Sequence, residues 1–137
     1  MQEALLTLWT GLPVFLAHSS VSLGILVLGV LIYMKVTAHD ELALIRAGNV
    51  AASLSLGGAI VGLALPLSVS LSVSVSLWDL ALWGLVALVL QIIAFRIMDL
   101  ILKDISHRIE QGEMGAAVLL VSVKLATAFI NAAAVSG

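Results

Sequence analysis

Four long apolar stretches dominate the pattern of hydrophobic and polar positions along the chain. They run from about Pro13 to Met34, Ala43 to Leu65, Leu77 to Leu102 and Met114 to Val135. Each is close to or above the roughly 20 residues that a helix needs to cross a bilayer core. Lipid favours helices here, because a helix bonds its backbone polar groups internally. The pattern predicts an all-α polytopic membrane protein with four transmembrane helices, forming one membrane domain over residues 1–137.

A pattern of period two separates the second and third stretches. After Pro66, serines alternate with valine and leucine, at Ser68, Ser70, Ser72, Ser74 and Ser76. Such alternation is typical of a strand. Because the segment lies between two spans, we predict an extended or frayed connector at the membrane surface, with Pro66 ending the second helix.

The composition supports a membrane protein and argues against several functions. The chain is 62% apolar and 10% charged, whereas soluble domains usually carry about 25% charged residues. A formal net charge of −2 provides no basic field for nucleic acid. The absence of cysteine excludes disulfides, thiolate nucleophiles and Cys-ligated metals. We expect no nucleic-acid partner, no metal centre and no cofactor.

Lysine and arginine are concentrated at two of the connections. Lys35 and Arg46 flank the first connection, and Arg96, Lys103 and Arg108 flank the third. The N-terminus, the serine-rich connection and the C-terminus carry neither residue type. Short loops rich in these residues tend to stay in the cytoplasm. The distribution therefore predicts an N-out/C-out orientation.

The two halves of the chain resemble each other. Residues 45–53 read IRAGNVAAS and residues 109–117 read IEQGEMGAA, so that isoleucine, glycine and small residues match at one constant offset. We predict two tandem helix-pair repeats, at about residues 13–68 and 77–135. Both copies would run in the same direction, which gives a symmetry axis along the membrane normal. The alternative is that small residues recur after Gly48 and Gly112 through composition alone.

These residues also carry a resemblance to a known family. The chain is similar to the YjfL-like inner-membrane proteins, the domain of unknown function 350, at Ala47–Leu54, Gly57-Gly58, Gly62–Pro66, Trp83-Gly84, Gln91 and Phe129–Ala133. The resemblance covers nearly the whole chain from about Val21 onward. It implies a small multi-pass protein of the bacterial inner (plasma) membrane with a duplicated helix pair, and it implies no activity. Lys124 departs from the family pattern, so a role for it would be specific to this protein.

Lys124 is the most unusual residue of the spans. It lies roughly 16 Å along the fourth stretch, where insertion scales give a lysine a cost of about 3 kcal/mol. Helical spacing puts Thr127 and Asn131 on the same face, together with Glu113. Gln91, near the middle of the third stretch, is a candidate hydrogen-bond partner. We predict an intramembrane polar site of Lys124, Gln91, Asn131 and Thr127. It is either an ion or proton path, or a structural lysine that snorkels or pairs with a neighbour.

Small residues mark the second stretch and predict close helix packing there. Gly58-x-x-x-Gly62 permits close backbone approach in lipid, and the candidate packing residues are Gly58, Gly62, Ala51 and Ser55. A pore-facing stripe of small residues is the alternative.

The two charged connections are the candidate cytoplasmic contact surface. Its candidate contact residues are Arg46, Asn49, Arg108 and Glu113. His39 and His107 also lie here, but their surroundings lack metal-ligand spacing, so we expect solvated loops.

Two functional hypotheses remain. No GxSxG, Walker A or HExxH pattern occurs, so we expect a protein that is not an enzyme. The first hypothesis is a homo-oligomeric channel or transport-like component, since four short helices leave little room for a pore in one subunit. The alternative is a membrane-anchored scaffold or membrane-stress module that recruits a cytoplasmic protein partner through its loops. Both require contact with the lipid bilayer.

Overall fold

A computed structural model of the protein describes residues 1–73 and 76–137. Its helices are α1 (Gln2–Val36), α2 (Glu41–Arg46), α3 (Val50–Val73), α4 (Leu77–Leu102), α5 (Ile105–Glu110) and α6 (Met114–Ser136). Within these residues, four helices are long and apolar enough to cross a membrane: α1, α3, α4 and α6. The predicted all-α class with four spans is confirmed, and short helices α2 and α5 occupy the two charged connections.

Two helix starts differ from the prediction. The first span begins at Gln2, because Pro13 lies inside α1 and does not start it. The second span begins at Val50 instead of Ala43. Gly48 adopts φ +88° and separates α2 from α3, a left-handed conformation that costs a glycine little.

The serine-rich segment is helical as far as Val73, so the prediction of an extended connector is wrong for this part. The hydroxyls of Ser68 and Ser72 each donate a 2.7 Å hydrogen bond to a carbonyl of the preceding turn. Pro66 is buried inside α3 and does not end it. Ser74 lies outside the described residues. The helix pairs the backbone groups of this segment internally and also gives both hydroxyls an acceptor, whereas an extended segment would leave its backbone groups unpaired in lipid.

Helix α3 is central to the bundle. It packs most extensively against α6 and also contacts α4 and α1. A Cβ atom on Gly58 would lie 3.0 Å from Cγ2 of Val121 in α6, and one on Gly62 would lie 2.6 Å from Nε2 of Gln91 in α4. The absence of side chains at these two positions thus lets α6 and α4 approach α3 closely.

The bundle has one end that carries most of the charge. Helices α1 and α4 run toward it, α3 and α6 run away from it, and α2 and α5 lie there. This end, called the charged end below, carries Lys35, Arg46, Arg96, Lys103 and Arg108. Both termini lie at the opposite end.

The α2–α3 and α5–α6 connections share one local geometry. Gly48 and Gly112 have φ of +88° and +75°. Each glycine N–H donates to the carbonyl of the isoleucine three residues earlier, Ile45 or Ile109, at 3.0 and 2.9 Å. The same hydrogen-bonded turn therefore explains why glycine stands at both positions.

The first half of α1 is largely exposed. Its 35 residues extend roughly 52 Å, which exceeds the roughly 30 Å of a bilayer core. Large apolar side chains from this half remain uncovered, including those of Leu6, Trp9 and Phe15.

Candidate intramembrane polar site

Lys124 is completely buried where α6 faces α3 and α1. Its Nζ donates to the carbonyl oxygen of Ser55 at 2.7 Å and to Oγ of Ser55 at 3.1 Å. The same Nζ lies 4.7 Å from the ring centroid of Tyr33 and 6.0 Å from that of Phe95. Two oxygens and the face of an aromatic ring thus replace the water that a buried ammonium loses.

The ammonium group of Lys124 lies nearer the charged end than its backbone does. The backbone is about 15 Å along α6, whereas Ser55 is about 8 Å along α3. Side chains on a helix lean toward its N-terminus, and α6 begins at the charged end. Lys124 therefore snorkels within the protein interior and not along the lipid surface.

Gln91 is buried beside Lys124, and its side chain bonds the backbone of Lys124 and not the ammonium group. Nε2 of Gln91 donates to the carbonyl oxygen of Lys124 at 3.0 Å. Oε1 of Gln91 has no hydrogen-bond partner among the described residues. The amide lies against the Cα atom of Gly62, where a Cβ would clash with it.

Thr127 and Asn131 are not joined to this pair. Thr127 is partly buried, and its hydroxyl donates to the Val123 carbonyl of its own helix at 2.8 Å. Asn131 is buried farther along α6, toward the opposite end. No hydrogen bond within residues 1–73 and 76–137 links either residue to Lys124 or Gln91. The predicted four-residue site is therefore divided along the helix axis.

The four residues predicted for helix packing share one helix and are all shielded from solvent. All are buried in α3: Ala51, Ser55, Gly58 and Gly62. Two of them also shape the polar site, because Ser55 accepts from Lys124 and Gly62 makes space for Gln91.

Three residues of the α1–α2 connection join the buried site, although the sequence pointed to a solvated loop. Glu41 is 1% exposed and His39 is 4% exposed. Oγ1 of Thr37 donates to Oε1 of Glu41, and Nε2 of His39 lies 3.5 Å from the same oxygen. The expectation of a solvated loop is wrong here, because α2 folds back over the charged end and turns Glu41 inward.

One local signal marks Glu41 in the sequence. Asp40 is the N-cap of α2, and its Oδ1 accepts from the backbone N–H of Ala43 at 3.1 Å. An Asp-Glu pair before an apolar turn is typical of a helix start. That signal predicts a helix, but not the side of the helix that is buried.

Tyr33 is the aromatic residue whose ring lies nearest the Lys124 ammonium. It is the chain's one tyrosine, is almost fully buried, and packs edge-on against Phe95 with centroids 6.1 Å apart. Its hydroxyl interacts electrostatically with Glu41 and Ser55, but no described atom meets hydrogen-bond geometry. A tyrosine at the end of an apolar stretch could have signalled a buried polar contact. The Lys124 cluster, as used below, comprises Tyr33, Thr37, His39, Glu41, Ser55, Gln91 and Lys124.

His39 interacts electrostatically with charged groups on three helices. Burial lowers the pKa of its imidazole, Lys124 of α6 lowers it further, and Glu41 of α2 and Glu110 of α5 oppose the shift. Both ring nitrogens lack a hydrogen-bond partner in the described part of the chain. The lowered pKa makes the neutral imidazole the dominant form at pH 7.

Asn49 joins the two charged connections. Its Nδ2 donates to the carbonyl oxygens of Ile109 at 2.9 Å and Glu110 at 3.2 Å. Its Oδ1 accepts from the backbone N–H of Ala52 at 3.0 Å, which caps α3. Asn49 thus makes an internal bridge between α3 and the end of α5.

The other predicted contact residues lie on the surface of the charged end. Arg46 is exposed, and Arg108 forms a half-exposed ion pair with Glu113, Nη1 to Oε1, at 3.0 Å. A groove of about 660 Å³ separates the two connections and is lined in part by Gly48, Asn49, Gln111 and Gly112.

The fold and the Lys124 cluster define a four-span helical membrane protein with a buried ionisable site. Residues 7–135 match the model of a family described as a Domain of Unknown Function, DUF350. The chain is 33% identical over 119 residues to the UPF0719 inner membrane protein YjfL of Escherichia coli strain K12, covering 87% of this chain and 90% of the relative. The match to YjfL of Escherichia coli O157:H7 has the same identity and coverage. No solved structure matches.

The chain therefore belongs to the DUF350 family, which confirms the resemblance found in the sequence. It is a multi-pass inner-membrane protein, in agreement with its four membrane-length helices.

Proposed function

We propose that this protein is a transport-like component of the bacterial inner membrane that works as a homo-oligomer. The observation that carries the proposal is the Lys124 ammonium, fully buried and bonded to Ser55 inside the spans. Ionisable groups within membrane spans are costly and mark ion pathways and proton relays. The buried Glu41 and His39 extend the site from Lys124 to the charged end. The proposal assigns no catalytic residue, cofactor or metal.

In this proposal the charged end faces the cytoplasm and both termini face outward. The concentration of lysine and arginine at that end supports the orientation. The proposal also includes a duplicated helix pair. The equivalent hydrogen-bonded turns at Gly48 and Gly112 support the duplication.

Self-association would supply the walls of a water-filled passage, which a single chain lacks. The Lys124 cluster is tightly enclosed by side chains, so a wide water-filled passage would have to form between subunits. Gly57 and Gly115 support association, because a Cβ on either would meet nothing within 4 Å. Small residues on outward-facing helix surfaces allow a second helix to approach closely. The uncovered first half of α1 provides further contact surface.

Reconstitution tests the proposal. Purified protein is placed in liposomes, and fluxes of H⁺, K⁺, Na⁺ and Cl⁻ are measured for wild type and Lys124→Ala. Lys103→Gln is the matched control, because Lys103 is exposed. Insertion and oligomeric state are checked for all three proteins.

We expect flux in wild type and Lys103→Gln, and its loss in Lys124→Ala. The transport proposal fails if wild type carries none of the four ions, or if Lys124→Ala carries them at the wild-type rate.

A scaffold is the second candidate function. The groove between the connections favours it, together with the exposed Arg46 and the half-exposed Arg108, because they present charge beside a recess at the charged end. Charge reversal at both arginines should then abolish capture of a purified cytoplasmic partner. If flux is robust and the reversals leave capture unchanged, the scaffold candidate loses its basis.

A further inference from the structure

We propose that the species reaching Lys124 is a proton, and that His39, Glu41, Tyr33 and Ser55 form its path from the charged end. This inference rests on the proposed transport function and names the substrate of the same site. The path uses residues from α1, α2, α3 and α6, together with the α1–α2 connection.

The path begins at a recess at the charged end of α1. The recess has a volume of about 330 Å³, and Thr37, His39, Asp40 and Glu41 are among its lining residues. His39 lies in its wall with both ring nitrogens unpartnered among the described atoms. An imidazole can accept a proton on one nitrogen and release one from the other. The His39 side chain has no exposed surface, so a small opening of the recess wall would let its imidazole exchange protons with water there.

The second step transfers a proton from His39 to Glu41. Nε2 of His39 and Oε1 of Glu41 are 3.5 Å apart, slightly beyond hydrogen-bond length, so a small side-chain movement or one water molecule would connect them. The N–H bond of the imidazolium breaks and an O–H bond forms on the carboxylate. The His39 imidazolium and the Glu41 carboxylate both become neutral, so the transfer leaves no net charge on this buried pair.

The remaining steps pass through two hydroxyl groups. The Tyr33 hydroxyl interacts electrostatically with Glu41 and Ser55 but is hydrogen-bonded to neither of them, so a small side-chain movement or one water molecule would connect it to each. Oγ of Ser55 lies 3.1 Å from Nζ of Lys124. A hydroxyl can accept one proton while donating its own, so neither hydroxyl carries a lasting charge. The lysine receives the proton as an amine and becomes the ammonium. Release of that proton to water in the passage between subunits, on the side of the opposite end, would restore the amine and complete the crossing.

Close packing favours a proton over larger ions. Tyr33 and Glu41 are each 1% exposed and Lys124 is 0% exposed, so protein atoms surround the path. A hydrated cation or anion would require these side chains to separate, whereas a proton needs only successive donors and acceptors. Across residues 1–73 and 76–137, no three His, Cys, Asp or Glu side chains converge as metal ligands would.

Charged groups on three helices face the entry residue His39. They are Glu41 of α2, Glu110 of α5 and Lys124 of α6. The two carboxylates favour protonation of the imidazole and Lys124 opposes it. A proton on Lys124 therefore disfavours a second proton on His39.

Conservative variants of full-length protein in liposomes test the path. Proton flux is followed with an enclosed pH-sensitive dye under a K⁺ diffusion potential, and K⁺, Na⁺ and Cl⁻ fluxes are measured in parallel. Glu41→Gln keeps an oxygen that can accept from Thr37, and Tyr33→Phe keeps the ring that faces Lys124. Glu3→Gln is the matched control, because Glu3 is exposed at the opposite end. Circular dichroism and gel filtration verify folding and assembly.

We expect proton flux to fall at least about tenfold in both path variants and to stay unchanged in Glu3→Gln. Wild-type proton flux in folded Glu41→Gln and Tyr33→Phe overturns the path but leaves the transport function standing. Flux of K⁺, Na⁺ or Cl⁻ without H⁺ overturns only the identity of the substrate. Absence of all four fluxes overturns both proposals.

Discussion

Replacing Gly62 with alanine adds a methyl group at the most crowded contact of the polar site. The new Cβ would lie 2.6 Å from Nε2, 2.8 Å from Cδ and 2.9 Å from Oε1 of Gln91. Because the whole amide group opposes the new atom, rotation of the amide about its own axis gives no relief. Gln91 must move away, which breaks its 3.0 Å hydrogen bond to the carbonyl oxygen of Lys124.

The expected loss of stability follows from three contributions. An extra methyl group in a packed interior costs about 1–3 kcal/mol, and the lost hydrogen bond costs about 1 kcal/mol. Alanine offsets about 1 kcal/mol of this loss, because it is a better helix former than glycine. We therefore expect Gly62→Ala to lower the free energy of unfolding by about 1–3 kcal/mol.

Unfolding in mixed micelles, followed by circular dichroism, measures this difference. Gly57→Ala is the control, because it lies in the same helix and its Cβ would meet nothing within 4 Å. Its stability should equal that of wild type or rise by up to about 1 kcal/mol. Equal stabilities of Gly62→Ala and Gly57→Ala would refute the packing of Gln91 on Gly62.

Three further predictions concern the charged end. Asn49→Ala removes two bonds to α5 and the cap of α3, so micelle unfolding should show a loss of about 2–3 kcal/mol; wild-type stability would contradict the bridge. Gly48→Ala and Gly112→Ala force a left-handed φ on alanine and should each cost about 1–2 kcal/mol in the same assay; a cost at only one glycine would contradict the equivalence of the turns. Folding lowers the pKa of His39, so the unfolded protein binds more protons than the folded one near and below about pH 6.5. The free energy of unfolding therefore declines as the pH falls below about 6.5, and His39 causes no such decline above that value. His39→Gln should flatten this decline in unfolding curves taken across pH, whereas His107→Gln should not; an unchanged slope in His39→Gln would contradict the burial of the imidazole.

The spans could be predicted from the sequence because hydropathy over 20 residues depends little on tertiary structure. The short helices and the continuation of α3 past Pro66 were harder to predict. A six-residue helix such as α2 is too short to show periodicity, and the serines beyond Pro66 bond their own helix in place of forming a strand.

The polar site was predictable only in part. Lys124 and Gln91 stand out because polar residues are rare in apolar stretches, and the structure brings them together. Glu41 and His39 lie in a polar connection. The local sequence does not indicate that α2 packs over the end of the bundle, so the burial of these two side chains could not be predicted. Helical spacing puts Asn131 on the same face as Lys124. Two residues on one face can still be too far apart along the helix axis to contact each other, so the spacing does not predict a shared site.

The central claim is that Lys124 serves transport and not the stability of the bundle, and Lys124→Met tests it most directly. Methionine keeps an unbranched apolar stem, and replacing a buried ionic group by an apolar one of similar volume is often neutral or stabilising. Flux and unfolding are measured on the same reconstituted preparation. The account predicts background flux in a protein at least as stable as wild type. Wild-type flux in folded, inserted Lys124→Met would contradict it.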